Sequence, residues 1–166
     1  MKKILSAILA MSLVLLLAAC GSKGGGGTGN DGAKSVDLNQ YYEDFMASLG
    51  ADNTPAMMDV EAEALDSLYQ GLSAYKTAQS VVKVAAINSV AFEFALVELE
   101  NESDAQAVAD IFQARVDYQV NGGAFYPQTT ADWENAQIIT HGNVVALIVA
   151  GTEQARAVEA FEKLFA

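Results

Sequence analysis

The chain has 166 residues, 52% of them hydrophobic, a net charge of −12, one cysteine and one histidine. A single cysteine rules out an internal disulfide, and one cysteine with one histidine leaves zinc without a ligand set. The excess of carboxylates repels phosphate backbones, which excludes nucleic acid as a partner.

The first segment pairs the basic stretch Met1-Lys2-Lys3 with an apolar run from Ile4 to Ala19. That run is shorter than the roughly 20 residues needed to span a bilayer comfortably. It closes on Leu17-Ala18-Ala19-Cys20, which resembles the lipobox of bacterial lipoproteins. The resemblance implies cleavage between Ala19 and Cys20 and alkylation of the Cys20 thiol by diacylglycerol. Residues 1–19 would then be a signal peptide, and the mature protein would sit on the extracytoplasmic face of the cell membrane. Two acyl chains hold a protein stably, at about 0.8 kcal/mol per buried methylene. Residues 20–34 follow as the lipidated cysteine and a tether. Gly21 to Lys34 carries seven glycines in 14 residues and no large apolar side chain. Such a stretch buries too little surface to offset its ordering entropy, and its root-mean-square reach is roughly 20 Å.

Residues 35–166 have the length of one domain, large enough for a core without disulfides. They carry 20 Asp and Glu against five cations, Lys76, Lys83, Arg115, Arg156 and Lys163, a net charge near −15. Leu38, Tyr41, Tyr42, Phe45, Met46 and Leu49 form one apolar stripe at helical spacing. Asp37 and Gln40 suit a capping box, and Gly50 a stop. A second helix is expected from about Val60 to Gln70, with Ala64, Leu65, Leu68, Tyr69 and Leu72 on one face and Gly71 at its end.

The pattern then turns to strands. Val81 to Ile87 is rich in valine, and Val90 to Leu99 is apolar on both parities apart from Glu93 and, near its end, Glu98, as a strand covered on both faces should be. Ser103 with Gln106 opens a third helix to about Val120, and Asn121-Gly122-Gly123 stops it. Ala136 to His141 and Val144 to Ala150 read as a hairpin closed by Gly142-Asn143, and Thr152 as the cap of a last helix. From Val90 onward the order β-α-β-β-α resembles a ferredoxin-like unit without its last strand. The strand at Val81 fills that place, giving the spatial order first, second, fourth, third. The expected fold is α+β: a two-layer domain with a permuted ferredoxin-like antiparallel sheet. The third and last helices share one face. The two N-terminal helices, or a second subunit, cover the other.

Few residues carry recognisable chemistry. His141 sits at a turn and has no G-x-S-x-G nucleophile beside it. The acidic runs Asp59, Glu61, Glu63, Asp66 and Glu98, Glu100, Glu102, Asp104 lack calcium-loop spacing. Gly24 to Gly27 have no strand before them or helix after them, as a phosphate loop requires. No enzyme activity, metal or cofactor is therefore expected. One polar set stands out: Glu93, Arg115, Gln119 and Tyr126. A carboxylate on a doubly covered strand needs a partner, and the planar fork of Arg115 fits one. The set is either a buried ion pair that fixes the third helix, which we favour, or a small polar ligand site.

Glu93, Arg115 and Gln119, then Tyr126-Pro127, then Gly142-Asn143 before an apolar strand, resemble the lipoproteins of Gram-positive anaerobes catalogued as domain of unknown function 4358. The likeness runs over about residues 60–166. Members of that family often carry an aromatic residue after the Gly-Asn turn, where this chain has Val144. The family brings no known activity. The expectation is a membrane-anchored, non-enzymatic module that binds a protein partner or shapes an assembly at the cell surface. The alternative is a small-ligand receptor.

Overall fold

The computed structural model describes residues 36–166. The expected signal peptide, Cys20 and the expected tether lie outside the described residues. Among those described, no helix is long and apolar enough to cross a membrane.

The first helix, α1 (Leu38–Leu49), buries the whole expected stripe. Asp37 accepts from the Gln40 N–H at 2.9 Å. The Gln40 side chain turns forward to Asp44 instead of back, so only half of the capping box forms. The expected second helix is broken. Met57–Asp59 forms a short edge strand, β1, and Val60 still donates to Val82. The helical remainder is a 3₁₀ turn at Ala62–Ala64, the single turn α2 (Leu65–Leu68) and a 3₁₀ turn at Leu72–Ala74. Gly71 breaks it at φ +91°, and Asp66 pins the break by accepting from the Ser73 N–H and hydroxyl. An open sheet edge beside residues 57–60 offers hydrogen bonds that outweigh a weak local helix preference.

The remaining elements are β2 (Thr77–Ala85), β3 (Phe92–Leu99), α3 (Ala105–Tyr118), α4 (Pro127–Glu134), β4 (Gln137–His141), β5 (Val144–Ala150) and α5 (Gln154–Glu162). The sheet is antiparallel throughout, in the order β1-β2-β3-β5-β4. This is the expected four-strand order with one added edge. Strand β2 starts four residues earlier than its valines suggested. Gln79 there bonds the Val36 carbonyl, the Leu38 N–H and Glu98, so polar residues extend the strand by clamping the point where the chain enters.

Helices cover both faces, but not in the expected grouping. Phe94, Leu96, Ala146 and Ile148 face α1 and α5. Ala95, Val97, Val145 and Leu147 face Tyr69, Leu72, α3 and Trp133. The sheet is thus the middle of three layers, not part of two. The last helix lies beside α1, where the Tyr41 hydroxyl donates to the Ala157 carbonyl at 2.8 Å and its ring meets Phe161 at 5.2 Å. The cap of α5 also differs: the Gln154 amide bonds the Ala150 N–H and the Ile148 carbonyl, and Thr152 sits in a 3₁₀ turn. Gly142 has the positive φ, +58°, that the two-residue hairpin turn needs.

Candidate functional site

Glu93 lies on the β3 face that meets α3, among apolar neighbours, and is 3% exposed. Two groups converge on it. Arg115 donates from Nε to Oε1 at 2.9 Å and from Nη2 to Oε2 at 2.8 Å. The Tyr69 hydroxyl donates to Oε1 as well. Arg115 reaches inward from the last turn of α3, and its guanidinium lies 5.2 Å from the centre of the Trp133 ring. Burial opposes the guanidinium charge, yet the Glu93 hydrogen bonds and charge outweigh it and raise the pKa. Burial, then the Glu93 charge and hydrogen bond, push the Tyr69 phenol well above its ordinary value. The carboxylate is thus held by a phenol and by the bidentate fork of a cation that itself lies over an aromatic ring.

Glu93, Arg115 and Trp133 floor a cleft of about 280 Å³. Leu68, Val84, Ile87 and Val90 supply apolar wall, and Gln119 lies beside Arg115. Gln119 begins the wide turn that ends α3, accepting from the Ala124 N–H at 2.8 Å. Gly122 there holds φ +133°, which a side chain would strain. The structure therefore brings Glu93, Arg115 and Gln119 together. It does not bring Tyr126 with them. Tyr126 precedes α4, and its backbone exchanges hydrogen bonds with the Thr129 hydroxyl while its ring stays exposed.

Sequence reasoning missed Tyr69, read as one more core position, and Trp133, whose short helix it left out. Pro127 at the first helical position was the available signal for α4. It also missed a surface feature. Among the described residues the exposed large hydrophobics are Met58, Ile87, Val90, Tyr118, Phe125 and Tyr126. Part of this set borders the cleft. Ile87 and Val90 line it, and Met58 pairs across the strands with Val84, which also lines it. The Tyr118 ring packs where a Cβ on Gly123 would meet it at 2.7 Å. Phe125, 84% exposed, follows Ala124 of the wall and packs on Tyr126 at 6.1 Å.

Other places hold less chemistry. A cleft of about 340 Å³ between α1 and α5 is lined by Arg156, Glu159 and Lys163, but their charges are already paired. His141 bonds Glu162 at 2.8 Å and stacks on Phe165. Among the described residues no His/Cys/Asp/Glu cluster is arranged to hold a metal, and Asp59 of the first acidic run pairs with Lys83.

No curated protein and no solved structure matches the chain. The family model described as domain of unknown function (DUF4358) matches residues 50–150, from the loop after α1 to the end of β5. That stretch contains the whole Glu93–Arg115–Gln119 cleft and more than half of the sequence, and the chain belongs to this family.

Proposed function

We propose that the protein is a lipid-anchored lipoprotein on the extracytoplasmic face of the cell membrane, and that its domain is a non-enzymatic module that binds a protein partner. Leu17-Ala18-Ala19-Cys20 at the end of a short apolar run supports the anchoring. One observation carries the binding role: the exposed side chains of Ile87 and Val90 line a cleft of an otherwise acidic domain, with exposed Met58 paired to Val84 of its wall and exposed Phe125 next to Ala124 of its wall. Contiguous apolar surface of this kind, rimmed by polar groups, marks interaction sites. The cleft itself favours a second reading, a small-ligand receptor.

Two measurements test the proposal. Cys20→Ser should abolish labelling by radioactive palmitate and release the protein from washed membranes. Retention of a mature-sized Cys20→Ser protein in those membranes would defeat the anchoring. A photo-crosslinking amino acid at Phe125 in living cells should give a discrete protein adduct. The same group at Glu159, on α5, should not. Equal adducts from both positions, or none from Phe125, would defeat the binding role.

A further inference from the structure

We infer that the cleft over Arg115 grips a basic peptide segment, holding one apolar side chain between its walls and the neighbouring main-chain carbonyl on its floor. This deepens the protein-binding role proposed above and rests on it.

The floor is built to donate. A guanidinium has five N–H groups in a fixed fork. Glu93 takes one edge, through Nε and Nη2. Nη1 has no hydrogen-bond partner among the described residues, yet no buried side-chain nitrogen or oxygen among them is left unpaired, so Nη1 reaches solvent. The Gln119 side-chain amide, beside it in the cleft wall, likewise has no protein partner among the described residues. Trp133 and Glu93 hold the guanidinium in place, so its outer edge is preorganised.

The charge balance selects the acceptor. Glu93 neutralises Arg115, so the floor offers hydrogen-bond donors without net positive charge. The surrounding domain is near −15. A carboxylate or phosphate ligand would meet repulsion there, whereas a peptide carbonyl would not. The walls are aliphatic at Leu68, Val84, Ile87 and Val90. They suit an apolar side chain better than a sugar ring, whose edges need several polar partners. The flanks of the segment follow from the remaining charges. Four of the five cations of the domain are already held by carboxylates: Lys83 by Asp59, Arg115 by Glu93, Arg156 by Glu153 and Lys163 by Glu159. The uncompensated surface is acidic and complements a basic partner.

The placement agrees. The chain enters the domain at Val36, clamped by Gln79 beside Glu98. Glu93 lies at the other end of β3, about 17 Å away at about 3.3 Å per residue. The cleft thus opens at the end of the sheet opposite the chain's entry.

Trp133 provides a local reporter, because it is the only tryptophan of the chain and lines the cleft. The full chain in detergent micelles would be titrated with acetyl-Lys-Lys-Leu-Lys-Lys-amide while Trp133 emission is followed. The expected result is a saturable change. Replacing the leucine of the peptide by glycine should weaken binding about tenfold or more, the worth of a buried apolar side chain. Ile87→Asn, which removes the apolar wall without adding charge, should do the same without lowering Tm, since Ile87 is 59% exposed. Gln119→Ala should weaken it about threefold, the worth of a neutral hydrogen bond. Equal binding of the glycine peptide would mean charge attraction alone and would overturn the inference. So would wild-type affinity in Ile87→Asn, or a saturable response to a chitin oligosaccharide with none to the peptide. No response to the leucine peptide would also overturn it. A protein adduct through Phe125 would in that case still support the wider binding role, which separates the two failures.

Discussion

A carboxylate 3% exposed on a strand covered by two layers is a liability unless its charge is answered. Glu93 is answered by Arg115 on two atoms and by Tyr69 on one. Removing one member of such a pair leaves an uncompensated buried charge, at a cost of about 3–5 kcal/mol. Arg115→Ala should therefore lower the urea midpoint strongly. The double change Glu93→Gln with Arg115→Met should recover much of the loss, because both charges leave together and the introduced amide oxygen still accepts from Tyr69. A midpoint for Arg115→Ala equal to wild type would refute this account. The pair was legible in the sequence because Glu93 interrupts the apolar body of its strand, whereas Glu98 lies near the strand's end. Its third partner was not. Tyr69 fits an apolar helical face as well as any core residue, and nothing local reveals that its hydroxyl points at a strand 24 residues on. Tyr126 misled for the opposite reason: an aromatic residue before a proline looks like a clamp, whereas it is the Tyr126 backbone that caps α4.

At the scale of elements, α1 shields the face of the sheet that α3 does not reach. Its stripe buries Phe45 against Phe94 at 5.6 Å and Tyr41 at 6.4 Å. Phe45→Ala should cost about 3–5 kcal/mol, as large aromatic truncations in cores do. The check is a chemical denaturation curve with an unchanged slope, and a cost under about 1 kcal/mol would mean that the helix rests loosely on the sheet. Strand order was legible from parity, since two doubly apolar strands must be central and adjacent, and a two-residue turn fixes their neighbour. The side each helix takes was not. Both faces of the sheet are apolar, so periodicity shows that a helix packs somewhere without saying where. Strand β1 was hidden as well. Met57-Met58-Asp59 has no strand signal of its own and is ordered by the open edge of β2.

Across the whole molecule, the three helical and sheet layers share one vulnerability, buried phenols. Tyr69 lies in the α3 layer, and Tyr41 and Tyr42 lie beneath α1. Burial raises all three above the ordinary tyrosine value of 10.0; Tyr42 is pushed up to about 12, with the charges of Asp59 and Glu43 adding to the effect of burial. An unfolded chain releases these protons near pH 10, while the folded chain retains them. Above that point the unfolded state binds fewer protons than the native state, so stability must fall as pH rises. The stabilisation is complete below about pH 10 and is lost progressively as the pH climbs through the raised values of the folded state. The tyrosinate absorbance of these three buried phenols should therefore appear together with loss of the helical circular dichroism signal, in one alkaline transition rather than as a separate titration. Tyr69→Phe tests the account from both directions. It removes a hydrogen bond from Glu93 and should lower stability at neutral pH, yet it should make the alkaline limb shallower because one titrating phenol is gone. An alkaline limb equally steep in Tyr69→Phe and wild type would show that the buried phenol does not couple ionisation to unfolding.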